Sequence, residues 1–232
     1  MRRYGFRSNG DGTYLYIEEN SNNSVALGFN ATQTALNFAA SSSAGCIPTT
    51  PPYMSVVPAT GTYLFNSASG TTFSISGTGN VSAPLHTSFL ATINSADNNV
   101  TGNGAVYQLG TNVAFTEIFD KGSNFNTNGT FTAPINGNYY FSAIILCGGL
   151  TVLSTSLELR IVTTARAYVQ TINPSTLFVG SNATVSFSTI ASMSAGDTAV
   201  ITLMVSGLAG DTVDVVGSGS QANVVFGGYL LL

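Results

Sequence analysis

From Asn20 to Ala96 no residue carries a formal charge, and only 7% of the 232 residues are charged at all, so the polar side of a solvent-facing helix has almost no material. Helix-favouring Lys, Glu, Gln and Arg are scarce, while Gly, Ser, Thr and Asn fill the positions between apolar residues. A chain of this kind makes strands with β-branched and aromatic faces and reverses direction at Gly or Asn. Its 44% apolar content is enough to fill a core. The expected fold class is all-β.

The same scarcity of charge narrows the partners. Six basic and ten acidic residues leave a net charge of −4 and no Lys or Arg cluster to neutralise phosphates, so nucleic acid is not an expected partner. Arg2, Arg3 and Arg7 are candidate contacts to the acidic surface of a larger particle; a solvated N-terminal arm is the plainer reading. No run of about 18 apolar residues is present, and the opening MRRYGFRSNGDG lacks the apolar stretch of a secretory signal. Neither membrane insertion nor export by that route is therefore expected. Two cysteines, Cys46 and Cys147, are too few for a disulfide scaffold, and Cys147 in FSAIILC reads as a small buried hydrophobe.

Two modules are expected. Residues 1–85 combine the uncharged stretch with Pro48, Pro51, Pro52, Pro58 and Pro84 and read as a β-rich attachment or stalk module. Within it, SVALGFNATQTALNF alternates loosely, residues 62–76 give a hairpin signal around Ser67–Gly70, and Ser41–Pro52 reads as a connection. Such short strands bury little by themselves, so sister chains or a larger surface are expected to complete this half. Over residues 86–232, strand-like runs recur with turn signals between them, the spacing of a sandwich or jelly roll.

In NYYFSAI the neighbours Tyr139, Tyr140 and Phe141 alternate between the two faces of their strand, which makes both faces aromatic. The closing run Tyr229, Leu230, Leu231, Leu232 repeats the situation. A two-sheet sandwich shelters only the inner face of each sheet, so the outer groups need a second cover. Self-association about a symmetry axis supplies one; an N-terminal segment of the same chain is the alternative.

At these residues the chain resembles the C1q/TNF-like domain family. The resemblance rests on Phe119-Asp120-Lys121, then Gly129-Thr130-Phe131-Thr132-Ala133-Pro134, then Gly137-Asn138-Tyr139-Tyr140-Phe141, with Gly196-Asp197 and the closing Phe226-Gly227-Gly228-Tyr229-Leu230-Leu231 further on. It covers roughly Pro84 to Leu232 and implies a ten-stranded jelly roll assembled as a compact homotrimer. Gly129 and Gly137 are expected to adopt positive φ in turns, Pro134 to end strand pairing, and Tyr139, Tyr140, Phe141, Phe226, Tyr229, Leu230 and Leu231 to supply core and subunit contacts. No Gly-X-Y collagen repeat lies upstream, and the calcium-carrying loops of some family members find no residue-by-residue match.

Catalytic devices are not evident. With His86 alone at the proposed module boundary, a histidine-based triad has no partners to draw on. Glu117 with Asp120, and Asp211 with Asp214, are the tight carboxylate groupings considered for a paired-carboxylate mechanism. Asp211 and Asp214 are weak Ca²⁺ candidates, a solvated loop being the alternative. Otherwise no cofactor is expected, since no Walker loop, dinucleotide fingerprint or Cys/His zinc spacing is present. Glu158, Arg160 and Arg166 suggest cross-strand or inter-subunit pairing.

The function expected from these features is non-enzymatic: a viral or bacteriophage structural protein such as a head fibre, capsid decoration or tail-fibre component, assembled in the host cytoplasm. The N-terminal module would contact virion capsid or tail proteins, and a homotrimeric head would present a stabilising surface or one that binds a host glycan or receptor. The alternative is a bacterial or cellular C1q-like surface protein that binds carbohydrate or a receptor.

Overall fold

A computed structural model describes residues 54–57, 60–67 and 70–231, together with the backbone of four earlier strands. Arg2, Cys46, the expected connection at 42–52, Leu232 and the side chains of Arg3 and Arg7 lie outside the described residues. The chain divides into two compact units, Met1–His86 and Thr87–Leu232.

The first unit is one antiparallel sheet in which every strand pairs with the next: β1 Arg3–Asn9, β2 Gly12–Asn20, β3 Asn23–Asn30, β4 Leu36–Ser41, β5 Met54–Val57, β6 Thr62–Ser67, β7 Gly70–Ile75 and β8 Val81–Ser82. The hairpin read at residues 62–76 is β6 with β7, Tyr63 facing Ile75 and Phe65 facing Phe73. The rings of Phe65 and Phe73 lie 5.7 Å apart, and both remain partly exposed, as do Tyr63 and Val81. Apolar cross-strand pairs join β6 to β7, but they leave Tyr63, Phe65 and Phe73 partly open to water.

The second unit is a sandwich of two antiparallel sheets. Its strands are β9 Ser88–Thr92, β10 Asp97–Thr101, β11 Val106–Gln108, β12 Thr116–Lys121, β13 Phe125–Asn126, β14 Thr130–Thr132, β15 Gly137–Gly148, β16 Ser156–Thr163, β17 Ala167–Ile172, β18 Ala183–Met193, β19 Thr198–Ser206, β20 Val213–Val215 and β21 Val224–Leu230. One sheet runs β10-β20-β15-β21-β9-β12 with β18 on the other side of β15; the second runs β13-β14-β19-β16-β17 with β11 on β19. Jelly-roll character is as expected. Thirteen strands stand where ten were expected, and four of them, β11, β13, β14 and β20, are short pieces of two or three residues.

Alternation decides which residues fill the space between the sheets. β15 sends Tyr139, Phe141, Ala143, Ile145 and Cys147 inward, all fully buried, and β16 sends Leu157, Leu159 and Ile161 to meet them. Phe89 of β9 is the centre of the aromatic cluster: it stacks on Phe125 at 4.6 Å and on Phe131 at 5.0 Å, and meets Phe226 edge-on at 5.0 Å. Offset and edge contacts of this kind add to the stabilisation from burial alone. Cys147 is free and buried, and desolvation pushes its thiol up to about 12.

Two motif glycines behave differently from each other. Gly129 takes the expected positive φ, +86°, and a Cβ there would sit 2.5 Å from the Leu109 carbonyl oxygen. Gly137 corrects its expectation: it is the first residue of β15 and has no positive φ. What it supplies is space, since a Cβ would come within 2.6 Å of the Leu230 side chain.

These contacts set an order of stabilities. Phe89→Ala is expected to cost about 3–5 kcal/mol, as for large-to-small changes in packed cores. Gly129→Ala should lower the melting temperature more than Gly137→Ala, because the first meets rigid backbone and the second the end of a flexible side chain. Thermal melts of the three variants followed by tyrosine circular dichroism check this, and a Gly137→Ala melt lower than that of Gly129→Ala would contradict it.

Candidate functional site

The outer face of the first head sheet is the most distinctive surface of the unit, and it follows from the alternation that builds the core. Between the inward residues of β15 stand Tyr140, Ser142, Ile144 and Leu146, which face out. Register places Tyr140 between Tyr229 of β21 and Ile190 of β18, and Ile144 between Val225 and Ser186. The rings of Tyr140 and Tyr229 are 5.2 Å apart and tilted by 36°. Leu90 of β9 continues the face beside Gly227, with Phe119 of β12 opposite Leu90. Ile190 is 57% exposed, and Tyr229 and Phe119 are each 43% exposed.

β9, β15, β18 and β21 contain no Asp, Glu, Lys, Arg or His. Covering the part of the face built by these four strands therefore strips water from no ionised group, although β12, which adds Phe119, also carries the exposed Glu117 and Lys121. The four strands present Ser, Thr and Tyr hydroxyls with no carboxylate, imidazole or amine among them.

The residues singled out in the sequence separate into two groups. Tyr139, Phe141 and Phe226 are fully buried core residues, with Tyr139 donating its hydroxyl to the Ile135 carbonyl oxygen at 2.8 Å. Burial raises the Tyr139 phenol above its ordinary value. Tyr140 and Tyr229 lie on the outer face, whereas Leu230 turns inward against the core and Leu231 is half-buried, its amide donating to Asn138 O at 2.8 Å. The terminal leucines are thus partly covered by their own chain. Ile190 and Leu90 complete the face but were not singled out, and Phe119 was read only as part of the Phe119-Asp120-Lys121 motif; Ile190 had a signal, as the lone apolar residue in the outward row Thr184, Ser186, Ser188, Ile190, Ser192 of β18.

The carboxylates are occupied with structure. Asp214 Oδ1 accepts the Asn99 amide at 2.8 Å, and Asp211 Oδ1 accepts the Asn103 amide at 3.5 Å, so both brace the end of β10 and the loop that follows it. Asp120 Oδ2 accepts the Phe125 amide at 2.9 Å and fixes the start of β13. Among the described residues no three His, Cys, Asp or Glu side chains come together as a metal-holding group. Arg160 pairs with Glu158 at 2.5 Å along the same strand, in place of the expected cross-strand pairing, because residues two apart on β16 share a face. His86 closes the first unit, its amide donating to Ala83 O at 2.9 Å.

One polar network joins buried Tyr107 and Asp97 to exposed Asn112 at the surface of the head. The Tyr107 hydroxyl donates to Asp97 Oδ2, Asn112 Nδ2 donates to Asp97 Oδ1 at 3.3 Å, and the Asn112 amide donates to the Tyr107 hydroxyl at 3.2 Å. Burial pushes the Tyr107 phenol up to about 12, and its bond to Asp97 adds to the rise. Unfolded tyrosine ionises near 10, so Tyr107 stabilises the fold fully below pH of about 10, and that contribution is lost as pH rises toward about 12. Tyr107→Phe should flatten this alkaline loss and, by leaving Asp97 Oδ2 without its donor, cost about 1–3 kcal/mol at neutral pH. Urea denaturation of both proteins across the alkaline range checks it, and equal pH slopes would contradict it.

The C1q domain profile matches residues 98–231. Among solved structures the chain is similar to murine APRIL at pH 8.5, with a TM-score of 0.44 and 8% identity over 63% of this chain and 99% of that one. It is also similar to the globular domain of zebrafish complement 1qA protein, with a TM-score of 0.40 and 17% identity over 63% of this chain and 98% of that one. No match was found among curated protein sequences. Because the profile accounts for more than half of its length, the chain belongs to the C1q domain family.

Proposed function

We propose that this chain is a non-enzymatic structural protein of a virus or bacteriophage particle, a head fibre, capsid decoration or tail-fibre component that works as a homotrimer. C1q domains commonly form trimers and are in general binding or structural modules. The observation that carries the reading is the outer face of β15, β18, β21 and β9, which is uncharged, sets Tyr140, Ile144, Leu146, Ile190 and Tyr229 among Ser and Thr hydroxyls, and is partly open to water. If each subunit covers roughly 1,000 Å² of apolar surface there, area bookkeeping gives an upper bound of about 25 kcal/mol before the costs of association. That margin supports an obligate trimer.

In this reading the unit Met1–His86 attaches the protein to the particle, with Arg2, Arg3 and Arg7 toward capsid or tail proteins. The head Thr87–Leu232 presents the surface that stabilises the particle or binds the host. The low charge and the Asn/Thr/Gly-rich strands of both units support a particle component.

Two measurements test it. Native mass spectrometry of the full chain should give three chains, and Ile190→Glu with Tyr229→Glu should shift the mass toward one chain by placing unpaired charge on the covered face. Wild-type monomers would contradict the assembly. Purified particles from the source should contain the chain in multiples of three, whereas recovery in the cell envelope alone would favour a cellular surface protein.

A further inference from the structure

A second surface of the head is built in the opposite way, from polar groups held outward. It is an open groove of about 580 Å³, within the range of ligand-binding clefts of roughly 300–1,000 Å³. Glu117 of β12 stands in one wall, and Asn126, Asn128 and Thr130, from β13, its turn and β14, stand in the other. These strands sit at the ends of different sheets, so the groove opens where the sandwich is unclosed. Its floor is Phe125, almost fully buried and stacked on Phe89.

The backbone aims the amides. Asn126 Oδ1 accepts the Asn128 amide at 3.2 Å, and Asn128 Oδ1 accepts the Thr130 amide at 3.0 Å. Each side-chain oxygen is thereby held by its own turn, and each Nδ2 keeps its two donors without a partner among the described residues. Glu117 is exposed and makes no ion pair or hydrogen bond among the described residues, so it faces the donors as a free acceptor. Lys and Arg are missing from the lining, and no exposed apolar side chain offers an anchor.

We infer that this groove binds a neutral saccharide. A sugar diol is both donor and acceptor: its oxygens take the Asn126 and Asn128 N–H groups, and its hydroxyl protons go to the Glu117 carboxylate. An acidic sugar is repelled by Glu117 and finds no cation to pair with. A peptide would need an apolar or aromatic anchor pocket, which the groove lacks. The inference rests on the host-binding reading of the head and deepens it by naming the ligand class. In a trimer three such grooves act together, and simultaneous engagement raises a weak single-site affinity by about 10²–10⁴.

The test uses the full chain over surfaces carrying maltotriose, mannotriose, chitotriose, trigalacturonate or an uncharged peptide pool, with binding to host cells measured in parallel. The double variant Asn126→Asp with Asn128→Asp keeps the oxygens that hold the turns and removes the outward donors; its native mass serves as the folding control. Retention of at least one neutral trisaccharide, weakened tenfold or more in the folded double variant and in Glu117→Gln, is the expected result. No retention of any neutral trisaccharide, retention equal in the variants, or retention of only trigalacturonate or peptides would overturn the proposal. If wild type and double variant coat host cells equally, the groove assignment falls while the host-binding reading stands. If neither coats cells yet the variant alone loses the trisaccharide, the groove stands and the host-binding reading falls.

Discussion

The head depends on the two-sided character of β15. One row of its side chains, Tyr139, Phe141, Ala143, Ile145 and Cys147, enters the space between the sheets, where Phe89 gathers Phe125, Phe131 and Phe226 around it. The other row has no second sheet to meet. Because neighbouring β9, β18 and β21 are equally free of charge, the strand that fixes the core also fixes an uncharged outer face. Alternation decides only which residues point outward; it is the presence of Tyr140, Ile144 and Leu146 there, where β18 has Thr184, Ser186, Ser188 and Ser192, that makes this part of the face apolar.

Around this centre, polar groups are spent mostly on geometry. Asp214 and Asp211 hold the amides of Asn99 and Asn103, Asp120 holds the Phe125 amide, and the Tyr107–Asp97–Asn112 network is closed upon itself. In a chain with so few ionisable groups, nearly every described carboxylate has a structural partner. Glu117 is the exception, and it stands against amides whose oxygens are already engaged.

What could be read before the structure was local. The hairpin of β6 and β7, the alternation of Tyr139, Tyr140 and Phe141, the burial of Cys147 and the positive φ of Gly129 all follow from spacing within a few residues. Features that depend on distant chain could not be read in the same way. Gly137 looked like a turn residue, yet its role is set by Leu230, in the last strand of the head. Asp211 and Asp214 resembled a cation loop in sequence, but their partners Asn103 and Asn99 lie 108 and 115 residues earlier. The outer face was inferred from Tyr140 and Tyr229, while Leu90 and Phe119 joined it only once strand order placed β9 beside β21 and β12 beside β9.

The central claim is that sister chains cover the outer face of β15 in the native protein. Hydroxyl-radical footprinting of the intact full chain tests it most directly, with Val179, 84% exposed on a loop, as the internal reference. The account requires Val179 to be modified readily while Ile190, Tyr229 and Phe119 are protected, and requires that protection to vanish in a monomeric variant. Modification of Ile190 and Tyr229 in the native assembly at the rates of that variant would show that the face is open, and would contradict the account.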